Sequence, residues 1–155
     1  YTVFSDLDQY RYEFAEEGMN GVVIVKPAIN QTAILLVDEK KVHYTPCDGM
    51  LSKMNDPVQA YFGFLETGNE SDEGYESVEG YDCIKKTASA DDGTIVFSMW
   101  FSEELNFPLK IKAHQSEGPG LMEITNIQNW KVDPSVFEVP DDYVEVAKNM
   151  KPVEK

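Results

Sequence analysis

Basic residues are scarce in this chain: 13 lysines and arginines stand against 28 aspartates and glutamates in 155 residues, a net charge of −15. Such a surface repels phosphate backbones and anionic headgroups, which argues against nucleic acid as a partner and against flat adsorption to a membrane. Long hydrophobic runs are missing as well. The longest, GVVIVKPA and TAILLV, fall far short of the roughly 20 residues of a membrane span and suit buried strands instead. No secretory leader is visible in the text from Tyr1, so the expectation is a chain that is either cytosolic or has had a leader removed.

Histidine is limited to His43 and His114, each on the polar side of a predicted strand. No Gly-x-Ser-x-Gly elbow or other local nucleophile signature accompanies them, and the carboxylates cluster in predicted loops, so the expectation is a protein that is not an enzyme. Phosphate-cradling glycine patterns are missing too. Asp6-Leu7-Asp8 and Asp91-Asp92 lack the rest of a calcium loop and read as turn and cap residues. Neither a metal nor a cofactor is expected. Asn30-Gln31-Thr32 and Asn69-Glu70-Ser71 match the glycosylation pattern at a frequency chance supplies. The cysteines, Cys47 and Cys83, have no metal-binding spacing. Either they form a disulfide, which would close a loop of about 35 residues and add roughly 3–4 kcal/mol, or they are two buried thiols.

What is present in quantity is apolar and aromatic text, 42% and 12% of the chain, enough for one domain spanning residues 1–155 around a single core. Tyr10, Tyr12 and Phe14 alternate with Gln9, Arg11 and Glu13, the period of a half-buried strand. The turn text Glu17 to Gly21, with its Asn20-Gly21 pair, predicts a hairpin into Gly21–Val25. Thr32–Val37, the charged turn Asp38–Lys41 and Val42–Thr45 continue an antiparallel meander. One helix is predicted between Asn55 and Leu65, capped by Asn55 or Asp56 with Pro57 in its first turn. Val58, Tyr61, Phe62 and Leu65 share its apolar face. The acidic, Ser/Gly-rich segment from Asn69 to Glu79 reads as a solvated loop. Beyond it come strands at Gly80–Thr87, Thr94–Phe101, Leu109–His114 and Met122–Thr125, the last two divided by Gly118-Pro119-Gly120.

On Thr94–Phe101 the alternation places Phe97, Met99 and Phe101 inward, and Val96, Ser98 and Trp100 outward. Leu109, Ile111, Met122 and Ile124 follow the same pattern on their strands. A single amphipathic helix is too little to cover a sheet of about seven or eight strands, so an apolar groove is expected between the sheet and its lid. Its lining residues are Tyr10, Tyr12, Tyr61, Phe62, Leu65, Phe97, Met99, Phe101, Leu109, Ile111, Met122 and Ile124.

A series of motifs carries a resemblance. It runs from Gly80-Tyr81-Asp82-Cys83 through Phe101, Pro108-Leu109-Lys110-Ile111 and Ile124-Thr125-Asn126-Ile127 to Val132-Asp133-Pro134, Phe137-Glu138-Val139-Pro140 and Tyr143. Earlier, Ala33–Val37 and Lys41–Tyr44 flank a charged turn. Together they resemble the outer-membrane lipoprotein-sorting, or LolA-like, superfamily over about three quarters of the chain. The resemblance implies a mostly β, α+β fold: a curved antiparallel half-barrel with a helical lid and a hydrophobic cavity. It also implies work in the periplasm or at a membrane anchor of the bacterial cell envelope. Two features depart from the family: the N-terminal helix and first strands expected before Gln9 are missing or very short, and Arg11 is a loose match to the basic residue that latches the lid. The implied function is non-enzymatic binding of a lipid, acyl chain or lipoprotein, and the alternative is an envelope interaction or sensor module on the same fold. An uncovered sheet edge would invite pairing with a second copy.

Overall fold

The unbroken aliphatic run Val22–Val25 can be satisfied only by a strand covered on both faces, and the computed structural model buries all of it at the centre of a six-stranded sheet. The structure describes residues 2–6, 8–16, 18–114 and 121–146. In chain order the elements are β1 (Thr2–Asp6), β2 (Gln9–Glu16), β3 (Met19–Lys26), β4 (Gln31–Leu36), β5 (Lys41–Thr45), α1 (Met50–Asn55), α2 (Pro57–Phe64), β6 (Asn69–Val78), β7 (Tyr81–Ser89), β8 (Ile95–Ser102), β9 (Phe107–Ala113), β10 (Leu121–Glu123) and β11 (Val144–Glu145). They fall into two compact units, one formed by the chain up to Ser52 together with the segment after Trp130, the other by Lys53 to Trp130. The class is mostly β with few helices, as expected. The strands number eleven among the described residues and are shared between two sheets, in place of about seven or eight in one.

In the first unit the order is β1-β2-β3-β4-β5-β11, an antiparallel meander closed at one edge by β11, which runs parallel to β5. Gly18, at φ +78, takes the hairpin position between β2 and β3. The Asn20-Gly21 pair expected there lies inside β3 instead, because Gly21 faces Phe14 across the ladder and gives its ring room. A Cβ on Gly21 would sit 2.1 Å from Phe14 Cζ. Register places Tyr10, Tyr12, Val23, Val25 and Thr32 on one face and Val22, Ile24, Ala33, Leu35 and Val42 on the other, and all are buried. The second face is crossed by the C-terminal segment. Asp133 caps a short 3₁₀ turn at Pro134–Phe137 by accepting from the Ser135 amide at 3.0 Å. Phe137 is buried, and Arg11 Nη1 donates to the Val136 carbonyl at 2.9 Å.

In the second unit Asp56 caps α2, its carboxylate accepting from the Val58 amide at 2.9 Å, with Pro57 in the first turn. The predicted helix is therefore real, and a further short helix, α1, leads into it. Its apolar stripe is narrower than expected: Val58 and Tyr61 are buried, while Phe62 is 44% exposed. The sheet order is β10-β9-β8-β7-β6, antiparallel throughout. Neither sheet closes on itself among the described residues.

The stretch from Asn69 that reads as a loop is the edge strand β6. Its polar side chains carry no burial signal, but an edge strand needs only a backbone ladder on one side, and β7 supplies it. Lys86 Nζ lies 3.6 Å from Glu70 and 3.8 Å from Asp72, and the Ser71 and Thr87 hydroxyls meet at 2.8 Å. Gly74, at φ +89, accommodates the break in register between Asp72 and Tyr75. The outward placement of Ser98 and Trp100 is also corrected. Both are buried, as is Ser102, whereas Phe97 and Phe101 on the other face of β8 keep partial exposure. The Gly118-Pro119-Gly120 break lies outside the described residues. Cys47 and Cys83 are both buried, and the structure forms no disulfide between them.

Candidate functional site

Register decides which of the expected groove residues meet. Met99 on β8 stands opposite Ile111 on β9, which stands opposite Met122 on β10, so these side chains form one row across the sheet. Phe97 and Phe101 flank Met99 on the same face by alternation. Helix α2 sets Tyr61 and Phe64 edge-on against Phe97, with ring centroids 6.2 Å and 5.7 Å away. Tyr61 is fully buried and its hydroxyl donates to Glu70 at 2.9 Å. Burial first, and the neighbouring Glu70 second, push the phenol well above its usual range, so it stays protonated. Met99 and Ile111 are buried, whereas Phe97, Phe101, Met122 and Leu65 keep partial exposure.

The remaining expected residues go elsewhere. Tyr10 and Tyr12 are core residues of the six-stranded sheet, packed edge to face at 5.5 Å. Leu109 joins buried Cys83 and Trp100, and Ile124 packs against that cluster. Trp100 follows Met99 and so points to the other face. A break in register between β8 and β9 at Trp100 and Phe101 adds a residue to β9 there, which moves Leu109 away from Ile111's side. Phe62 is turned to solvent. The single groove expected from alternation is thus divided, and the part held together is the Phe97–Met99–Phe101–Ile111–Met122 face, which α2 meets at Phe97. Sequence reading missed Phe64, whose position one residue before the C-cap gave no stripe signal.

The six-stranded unit carries two open clefts on the face crossed by the C-terminal segment. The larger, about 540 Å³, has Val22, Leu35 and Val37 among its lining residues, with Arg11, Glu13 and Tyr143 contributing polar groups. The smaller, about 180 Å³, lies among Ile24, Ala33, Tyr44 and Phe137. None of the expected groove residues lines either one. Arg11 is engaged there, bonded to Glu13 at 3.2 Å and to Val136, so it braces the C-terminal segment within this unit.

Ser98 Oγ and His114 Nε2 form a close hydroxyl–histidine pair at 2.7 Å. Ser98 is only 1% exposed, so its hydroxyl is sealed from any substrate carbonyl and the pair reads as a structural bond in the β8–β9 ladder. Asp92 likewise caps its own turn, accepting from the Thr94 amide at 2.9 Å, which holds its carboxyl below the usual range. No helix among the described residues is long and apolar enough to cross a membrane.

No protein-family model matches the sequence, and a search of curated proteins finds no match. Solved structures do match. The chain is similar to the crystal structure of an uncharacterized conserved protein from Thermus thermophilus, with a TM-score of 0.56 and 11% identity over 93% of this chain and 78% of that one. At that identity the likeness shows the fold alone. A DUF1329 family protein from Desulfovibrio piger aligns over 68% of this chain and 56% of its own, at 16% identity and a TM-score of 0.29. A superposition that loose carries no argument about ligand or role.

Proposed function

We propose that this chain is a non-enzymatic protein of the bacterial cell envelope that binds a lipid or acyl chain on the Met99 face of the five-stranded sheet. The observation that supports it is the row Met99–Ile111–Met122 flanked by Phe97 and Phe101, an apolar strip that ends on the β7 side at Lys86, opposite Met99, and that α2 meets at its Phe97 end. An acyl chain gains about 0.8 kcal/mol for each CH₂ it buries against such a surface, provided no charge breaks it. The resemblance of the motif series to lipoprotein-sorting proteins points the same way and supplies the envelope setting. A fluorescent fatty-acid titration tests the reading, with Met122→Glu as the variant because that half-buried edge position tolerates a carboxylate better than buried Met99. Saturable binding by the wild type, weakened at least about tenfold in a variant that circular dichroism shows to be folded, is the expected outcome. Absence of saturable binding sinks it. It would favour a second reading, an envelope interaction module, for which the exposed open edge of β6 is the supporting feature.

A further inference from the structure

On the opposite face of the same sheet a different chemistry is assembled. Trp100 on β8 is flanked in register by Lys85 on β7 and Lys110 on β9. Both ammonium groups lie over its indole, at 5.2 Å and 4.8 Å from the ring centroid. Trp100 is 6% exposed, and its Nε1 has no hydrogen-bond partner among the described residues. A buried donor left unpaired is costly, and two like charges gathered at one ring repel each other, so the cluster has unmet demand for negative charge. Internal carboxylates meet little of it. Glu76 is 4.0 Å from Lys85 and itself largely solvated, and Glu123, opposite Lys110, makes no ion pair with it among the described residues. The chain is otherwise strongly acidic, which makes this a local basic spot on an anionic background.

We propose that the Lys85–Trp100–Lys110 row is a binding site for a phosphate group, independent of the acyl-chain reading. A phosphate monoester carries about −1.5 to −2 charges at neutral pH, which two ammonium groups balance, and its oxygens accept from them and from the indole N–H. Lysine stems are flexible and the Lys85 side chain is 33% exposed, so its ammonium group can turn from the ring toward an arriving anion without movement of the sheet. The competing account is that both stems merely shield the indole, and the two differ in what they predict on titration.

Calorimetric titration of the unsubstituted chain with inorganic phosphate at fixed ionic strength should show saturable binding. Lys110→Met keeps the stem and removes the charge, and should weaken binding about tenfold or more. Lys112→Met, opposite Ser98 on the same strand, should leave it unchanged. In a Trp130→Phe background Trp100 is the sole tryptophan, and its emission should shift as the site fills. Vesicles of phosphatidylglycerol, compared with phosphatidylcholine, separate the sources: binding to the former without binding inorganic phosphate assigns an anionic lipid headgroup, and binding of inorganic phosphate assigns a soluble phosphate. Failure of both probes to saturate overturns the proposal. So does an equal loss in the Lys110 and Lys112 variants, or binding that leaves Trp100 emission unmoved.

Discussion

Strands β3 and β6 lie in different sheets and are stabilised by different forces. From Val22 to Val25, β3 is buried on both faces, while β6 is exposed from Asn69 to Ser77. The first is held by side-chain burial, worth about 25 cal/mol per Å² of apolar surface removed from water. The second is held by its ladder to β7 and by polar cross-strand contacts such as Ser71 with Thr87. A central strand is thus specified by what its side chains lose in water, and an edge strand by the neighbour that lends it hydrogen bonds. Substitutions should therefore be felt very unequally in the two.

The largest effect is expected at Val23, which has no exposed surface. Val23→Asp buries an uncompensated carboxylate and should unfold the chain at neutral pH, several kcal/mol being lost, as read by circular dichroism and a urea melt. Tyr75→Asp in β6, at a position 76% exposed, should stay within about 0.5 kcal/mol of wild type. Comparable losses in the two would break the contrast.

Phe137 sharpens it from outside the strands. This residue of the C-terminal segment is only 1% exposed, so Phe137→Ala should cost about 3–5 kcal/mol in a denaturant melt. A loss under about 1 kcal/mol would mean that the segment is an accessory to the six-stranded unit and not part of its core. Smaller again is Gly21→Ala. The added methyl must displace the Phe14 ring, and the expected cost is about 1–3 kcal/mol.

The smallest effect concerns Lys40 and Asp142, which pair at 2.6 Å between exposed side chains. The hydrogen bond from Lys40 holds the Asp142 carboxyl below its usual range, and the same bond raises Lys40. The depressed acid contributes stability above its unfolded pKa and loses it as pH falls through the folded one. The raised base contributes below its unfolded pKa and loses it as pH rises through the folded one. Asp142→Asn should therefore lower the melting temperature slightly near neutral pH and leave it unchanged in acid below the folded pKa of Asp142, where the wild-type carboxylate is protonated too. An equal decrement at both pH values would assign the effect to something other than charge.

Much of the molecule was legible where one periodicity dominated. Tyr10 to Phe14, Thr32 to Val37 and the Pro57-led helix each carry a single unambiguous signal, and each forms the expected element. The failures have identifiable causes. At β6 the residue types were those of a loop, and only the pairing with β7 overrode them. At Ser98 and Trp100 a two-residue period implied one wet face, but coverage of that face depends on residues distant in sequence. The candidate strip survives only in part, because a break in register at Trp100 sent Leu109 to the other side and Tyr10 and Tyr12 belong to another sheet.

By itself the sequence determined the mostly β class, the capped helix and the apolar positions of strands such as β2 and β4, since these follow from propensity and from the burial preference of individual side chains. The tertiary structure alone decided how the strands were divided between two sheets, which residue takes the β2–β3 turn, and that Lys85 and Lys110 flank Trp100. Those outcomes rest on register, and register is a long-range choice: moving one strand by a single residue exchanges its two faces without altering any local preference.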